Sequence, residues 1–102
     1  MDKKKFNEHL IGAIDNGLQL LGESVRQVVY HYVERDSQLT REKIPERLEV
    51  FHETLEGTFG SGAKVIEKLI VRGLYDRLGV SFEDHRDWTI VDYVNNARKA
   101  SC

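Results

Sequence analysis

The sequence predicts an all-α fold of four or five helices, and three observations lead to that prediction. Apolar residues recur every three to four positions along most of the chain, which is the helical period. No segment alternates apolar and polar residues between turn signals, as a half-buried strand would. Proline, which interrupts helices, occurs once among the 102 residues, at Pro45. Residues 1–102 are therefore expected to form a single helical domain with frayed ends at about 1–4 and 99–102.

The first apolar stripe occupies the N-terminal third of the chain. It comprises Phe6, Leu10, Ile14, Leu18 and Leu21, and its phase continues through Val25, Val28 and Tyr32. Gly22 interrupts the stripe, and glycine both weakens a helix interior and is favoured just past a helix end. Ser24 and Gln27 have the spacing of a capping box that would start a second helix. Either one bent helix spans about 4–36 or two helices meet at Gly22, and the unbroken phase favours the single bent helix.

The two tyrosines of this region are predicted to have different environments. Neighbouring helical positions lie about 100° apart, so Tyr30 and Tyr32 cannot share a face. Tyr32 continues the inward stripe. Tyr30 is then expected to pack onto a second helix or a dimer partner.

The middle and the end of the chain predict a tight helix pair and a last helix. The polar residues 35–40 form a connection, and Pro45 suits the first turn of a helix over about 46–59. Gly60 ends this helix, and Gly79 ends the next one, over about 62–78. The loop that follows leads to the last helix. The residues predicted to face inward are Leu48, Phe51, Leu55, Phe59, Ala63, Ile66, Leu69, Ile70, Leu74, Leu78, Trp88, Val91, Val94 and Ala97.

Composition excludes several classes of function. The net charge of −2 provides no general attraction to nucleic acid or to anionic membranes. No apolar run is long enough to span a bilayer, and the start "MDKKKF" lacks the apolar region of a secretory signal. The one cysteine, Cys102, permits no intrachain disulfide, which suits a reducing compartment. We expect a cytoplasmic protein that neither crosses a membrane nor binds nucleic acid.

The stretch "GTFGSGAKVIEKL", residues 57–69, raises the question of a phosphate site. Gly57 and Gly62 have the spacing of a P-loop, but Ala63 stands where its lysine belongs, and a helix precedes the loop instead of a strand. The favoured interpretation is a corner between two antiparallel helices. A helix N-terminus can still bind an anion through free N–H groups. Ser61, Gly62 and Lys64 are therefore the alternative site, for a small anionic ligand or a nucleotide phosphate.

No metal, cofactor or catalytic residue is predicted. "HETLE", residues 52–56, begins like a zinc-protease motif, but Glu56 replaces the second histidine. Glu49 and His52 form one E-x-x-H pair, whereas a di-iron bundle needs two such pairs and two further glutamates. Cys102 is terminal, so it cannot be held beside a histidine as a nucleophile. These observations lean away from an enzyme.

Charge patterning supplies the candidate partner-binding surface. The acidic stripe consists of Glu46, Glu49, Glu53 and Glu56, and the basic stripe consists of Lys64, Lys68 and Arg72. Each recurs at helical spacing, and an antiparallel helix pair could bring an acidic edge beside a basic one. Two interpretations remain open: solvated faces with weak ion pairs, or a charged docking surface for another protein or a second copy of this chain.

Several short motifs in a fixed order resemble a known family. They are "LGESV" (21–25), Tyr30 with Tyr32, "IPE" (44–46), "FGSGA" (59–63), "IEKLI" (66–70) and "LYDRLG" (74–79). This pattern is similar to a small archaeal family, the Nitrosopumilus output domains, and specifically to the fifth of that series. The resemblance covers 17–34, 39–79 and the Ser81–Phe82 pair that follows.

That resemblance implies an archaeal, cytoplasmic, all-helical domain that acts as an output or accessory module in signalling. It carries no catalytic residues over to this chain, because the shared positions are glycines, a proline and apolar residues. The function expected from the sequence is therefore a non-catalytic protein-interaction or signalling-output module.

Overall fold

Within residues 1–101 the chain folds into five α-helices and one short 3₁₀ helix, which confirms the predicted all-α class. The computed structural model describes residues 1–101, so the expectations about Cys102 lie outside the described residues. The elements are α1 (Lys3–Leu21), α2 (Glu23–Ser37), the 3₁₀ helix (Arg41–Glu46), α3 (Leu48–Phe59), α4 (Gly62–Leu78) and α5 (Ile90–Ser101).

The N-terminal stripe folds as two helices, so the prediction of one bent helix is wrong. Gly22 separates them with φ 120° and ψ 151°, a conformation open essentially to glycine alone. In one straight helix residues 15 and 30 would lie about 22 Å apart. The Tyr30 hydroxyl instead donates a hydrogen bond to the Asp15 carboxylate, so α2 folds back on α1. Tyr30 thus packs onto a second helix, which is one of the two outcomes expected for it.

The break at Gly22 also changes which residues of α2 are buried. Val29 and Val33 are each 1% exposed, whereas Val28 is 41% exposed. Leu21 is exposed and Tyr32 only half-buried, so the inward positions predicted for Leu21, Val28 and Tyr32 are wrong. The cause is that a helix restarting after a sharp turn does not keep the phase of the helix before it. No capping box forms, because Gly22 is the N-cap and Ser24 lies inside α2.

The helix pair predicted for the middle of the chain is confirmed. Gly60 ends α3 with φ 57°, and Gly79 ends α4 in the left-handed conformation. Helix α3 begins at Leu48, two residues later than predicted, because Pro45 lies inside the 3₁₀ helix. The last helix also begins later than predicted, since α5 starts at Ile90 and Trp88 belongs to the segment before it.

Helix α4 lies at the centre of the molecule and packs on α1, α3 and α5. It buries Ala63, Ile66, Ile70, Val71, Leu74 and Tyr75 against one continuous core, while Leu69 and Leu78 are only half-buried. The accessible surface of 6103 Å² is close to the roughly 5,900 Å² that size scaling predicts. The face of α4 opposite the core remains at the surface.

Candidate functional site

The outer face of α4 carries the basic stripe and an exposed apolar residue. Val65 is 61% exposed although it lies between charged residues. It forms part of an open groove of about 430 Å³. The groove is lined by Ser61, Lys64, Val65, Lys68, Leu69 and Arg72. All three cations of the basic stripe therefore flank one apolar surface.

The segment 82–86, between α4 and α5, lies along the basic stripe, and none of its residues is among those that line this groove. The segment runs antiparallel to α4, as three contacts show. The Lys64 Nζ donates to the carbonyl of Arg86 at 2.8 Å. The Lys68 Nζ lies 2.8 Å from the Asp84 carboxylate. The Arg72 guanidinium lies 5.0 Å from the centre of the Phe82 ring.

The contacts between the segment 82–86 and α4 have a regular spacing. They involve every second residue of the segment, Phe82, Asp84 and Arg86, and every fourth residue of the helix. Four residues of helix rise about 6.0 Å, so the three cations lie on successive turns of α4. The sequence did not predict this pairing, because it depends on how the loop returns along the helix.

The C-terminal end of α1 adds apolar surface at the same end of the molecule. A Cβ on Gly17 would lie 2.9 Å from the Cγ1 of Ile70, so the two helices are in close contact there. Because Gly12 lies against Arg77, α1 runs antiparallel to α4. Leu20 follows Gly17 by three residues, so it lies level with the first turns of α4, and it is 76% exposed.

The acidic stripe occupies a different surface from the basic stripe. All four of its glutamates are exposed: Glu46 in the 3₁₀ helix, and Glu49, Glu53 and Glu56 on α3. Glu46 lies 3.8 Å from Lys43, and Glu56 lies 3.2 Å from His52. Among residues 1–101 no ion pair joins the two stripes. The two stripes approach each other where Glu56 and Lys64 line the same cavity.

This corner cavity, of about 380 Å³, lies beside the connection between α3 and α4. It is lined by His52, Glu56, Gly60, Ser61, Ala63, Lys64, Glu67, Arg86, Asp87, Trp88 and Thr89. Two of the three residues predicted as an anion site, Ser61 and Lys64, thus lie on its wall, and Gly62 is not among the lining residues. Arg86, from the segment before α5, supplies a second cation that the sequence did not point to.

A buried carboxylate forms one wall of the corner cavity. Glu67 is only 5% exposed, and both of its carboxylate oxygens have hydrogen-bond partners. Oε2 lies 2.5 Å from the Nδ1 of His52, and Oε1 accepts the backbone N–H of Ile90 at 3.1 Å. Burial raises the pKa of Glu67, although the contacts with His52 and the Ile90 N–H act in the opposite direction. Sequence reasoning missed Glu67, whose one signal is its helical spacing of four from Ala63 and Val71.

The arrangement around His52 does not form a metal centre. Glu67 contacts Nδ1 and Glu56 contacts Nε2, so the two carboxylates lie on different edges of the ring and do not converge on one point. In the described part of the chain no group of three or more histidine, cysteine, aspartate or glutamate residues is arranged to hold a metal ion.

A second polar cluster, centred on Asp15, joins α1, α2 and the 3₁₀ helix. The Arg41 guanidinium and the Tyr30 hydroxyl both donate to this carboxylate, and Arg26 lies 3.8 Å away. Burial acts to raise the pKa of Asp15, but the hydrogen bonds from Arg41 and Tyr30 and the two positive charges outweigh it and lower the pKa. Every group in this cluster has a partner, so its role is to fix α2 and the 3₁₀ helix on α1.

No protein-family model matches the chain, and no curated protein or solved structure is significantly similar to it. None of the helices formed by residues 1–101 is both long enough and apolar enough to cross a membrane.

Proposed function

We propose that this protein is a non-catalytic interaction module that binds a partner protein through the outer face of α4. The observation that carries the proposal is the exposure of Val65, at 61%, in a groove flanked by three cations. An apolar centre with a charged rim is the usual composition of a protein–protein contact. Leu20 and Leu21, at the end of α1, are also exposed apolar residues.

The partner that fits this surface is an amphipathic acidic helix. The cations of the basic stripe recur every four residues, so a helix with carboxylates at the same interval places one opposite each cation. Leucine-like side chains on the adjoining face of that helix would enter the groove and cover Val65 and Leu69. Charge complementarity sets the register, and apolar burial supplies most of the affinity.

A synthetic helical peptide with leucines on one face and glutamates at every fourth position tests the proposal directly. We expect Val65→Asp to weaken its binding by about tenfold or more, because the substitution places a charge in the apolar centre. Val28→Asp, which changes another exposed valine on α2, is the matched control and should bind as the unchanged protein does. Equal binding by both variants would remove this surface from consideration. A dimer in solution that Val65→Asp dissociates would assign the surface to a second copy and overturn the acidic-partner proposal.

The acidic stripe is a second proposed contact surface, suited to a basic segment of the same partner. Its glutamates are exposed, so Glu49→Lys combined with Glu53→Lys should leave the melting temperature unchanged. The double variant should abolish binding of a lysine-rich helical peptide. Undiminished binding would restrict the proposed contact to α4.

The biological setting forms part of the same proposal. The motifs shared with the Nitrosopumilus output domains support a cytoplasmic signalling-output role in an archaeal cell. Their glycines lie mostly at helix ends and many of their apolar residues lie in the core, so this support concerns the module as a whole and assigns no function to a single residue.

A second candidate function is the binding of a small anion in the corner cavity. Support comes from Lys64 and Arg86, which both line it and have no carboxylate within ion-pair distance among residues 1–101. Titration with inorganic phosphate, followed by amide chemical shifts, should then perturb residues 60–64 and 86–89. Arg86→Gln should remove the response, and Lys99→Gln on α5 should not. An unchanged spectrum would exclude this function.

A further inference from the structure

The segment 82–86 occupies the basic stripe in the way that an acidic partner would. It presents one group to each cation in turn, with the charged one at its centre, where Asp84 meets Lys68 at 2.8 Å. This contact is at the surface, since the two side chains are 57% and 40% exposed. The hydrogen bond from Lys68 also keeps the pKa of Asp84 below its ordinary value.

We propose that Asp84 is a built-in competitor that holds Lys68 until a partner carboxylate replaces it. The inference rests on the proposed function of α4 and adds a regulatory contact to the same surface. Exposed ion pairs exchange easily because each charge can be resolvated at little cost. A partner that brings its own carboxylate to Lys68 therefore competes with Asp84 for the same ammonium group, and weakening of the Asp84 contact lowers the partner's net affinity.

The exchange involves the Asp84 side chain and not the whole segment. Phe82 stacks on Tyr93 with ring centres 5.4 Å apart and meets Tyr75 edge-on at the same distance. The Tyr93 hydroxyl accepts the backbone N–H of His85 at 2.8 Å. These contacts keep the backbone on both sides of Asp84 in place. Asp84 itself has one further contact, a 3.3 Å hydrogen bond from the Tyr93 hydroxyl.

Removing the competitor should strengthen binding of the acidic peptide used above. We expect Asp84→Asn to lower its dissociation constant about two- to fivefold, the range that one exposed ion pair contributes. Glu83→Gln is the matched control, because it removes the same charge from the neighbouring position without a contact to the basic stripe. When Lys68 is also replaced by glutamine, Asp84→Asn and Glu83→Gln should bind the peptide with the same dissociation constant. The cation for which Asp84 and the peptide carboxylate compete is then absent.

The outcomes separate this inference from the proposed function. If the unchanged protein binds the peptide and Asp84→Asn binds no better than Glu83→Gln, the competitor role is overturned and the docking surface stands. If only Asp84→Asn binds, the competitor role is supported in a stronger form. If neither the unchanged protein nor Asp84→Asn binds the peptide, the docking surface and the competitor role are both overturned.

Discussion

The Glu67 carboxylate and the His52 imidazole are in contact at 2.5 Å and join α4 to α3 at a buried point. The other oxygen of the same carboxylate accepts the N–H of Ile90, the first residue of α5. One side chain thus links three helices. The oxygen of Glu67 satisfies one of the N–H groups at the start of α5, which have no partner within the helix.

Glutamine is expected to replace Glu67 with little loss, and alanine is not. In Glu67→Gln the amide oxygen can still accept from Ile90, and the amide NH₂ can donate to Nδ1 of His52. Glu67→Ala leaves the Ile90 N–H without an acceptor and opens a cavity, which together should cost about 2–4 kcal/mol in the free energy of unfolding. Urea denaturation of both variants measures the difference, and equal losses would show that the pair contributes only volume.

The raised pKa of Glu67 predicts a pH dependence with a definite sign. The folded protein binds this proton more tightly than the unfolded chain, whose reference pKa is 4.5. The stabilisation is therefore complete below pH 4.5 and is lost as the pH rises through the folded pKa. We expect the unchanged protein to become less stable relative to Glu67→Gln as the pH is raised from 4.5. A constant difference across that range would show that burial does not favour the protonated acid.

Asp15 should show the opposite dependence on pH. Its pKa is lowered from 3.8 in the folded protein, so its stabilisation is present above that value and is lost as the pH falls through the folded pKa. Asp15→Asn should cost about 1–3 kcal/mol near neutral pH, because it weakens the charged hydrogen bonds from Arg41 and Tyr30. That cost should vanish in acid. Asp36→Asn, in an exposed pair with Arg35, should change stability by less than about 0.5 kcal/mol and is the control.

Gly22 and Gly57 are expected to respond in opposite directions to alanine. No atom lies within 4 Å of a Cβ built at either position, so neither substitution creates a clash. Gly22→Ala should lower the free energy of unfolding by about 1–3 kcal/mol, because φ 120° is strained for alanine. Gly57→Ala lies inside α3 and should raise it by about 0.5–1 kcal/mol. Calorimetry of the two variants measures these changes in the free energy of unfolding. A stabilising Gly22→Ala would mean that α1 and α2 form one helix in solution.

How much of this molecule could be predicted depends on whether a feature is local or tertiary. The pair α3 and α4 followed from apolar spacing and from Gly60 and Gly79, because periodicity and helix ends are encoded within a few residues. The direction of the chain at Gly22 was not encoded in that way, since one apolar phase fits both a bent helix and two helices. Glu67 was missed for a related reason: its burial depends on a partner, His52, that lies 15 positions away.

The close approach of α1 and α4 depends on Gly17. An added Cβ there would lie 2.9 Å from Ile70 Cγ1 and 3.2 Å from backbone atoms of the same residue, so the helices would have to separate. We expect Gly17→Ala to cost about 1–3 kcal/mol, as overpacking of a buried contact does. For Gly12→Ala, on the same helix, the nearest atoms all belong to the guanidinium end of Arg77, the first at 2.6 Å. That flexible end can move aside, so Gly12→Ala should be neutral or stabilising by up to about 1 kcal/mol. Equal destabilisation by the two substitutions in thermal denaturation would contradict a specific close contact at Gly17.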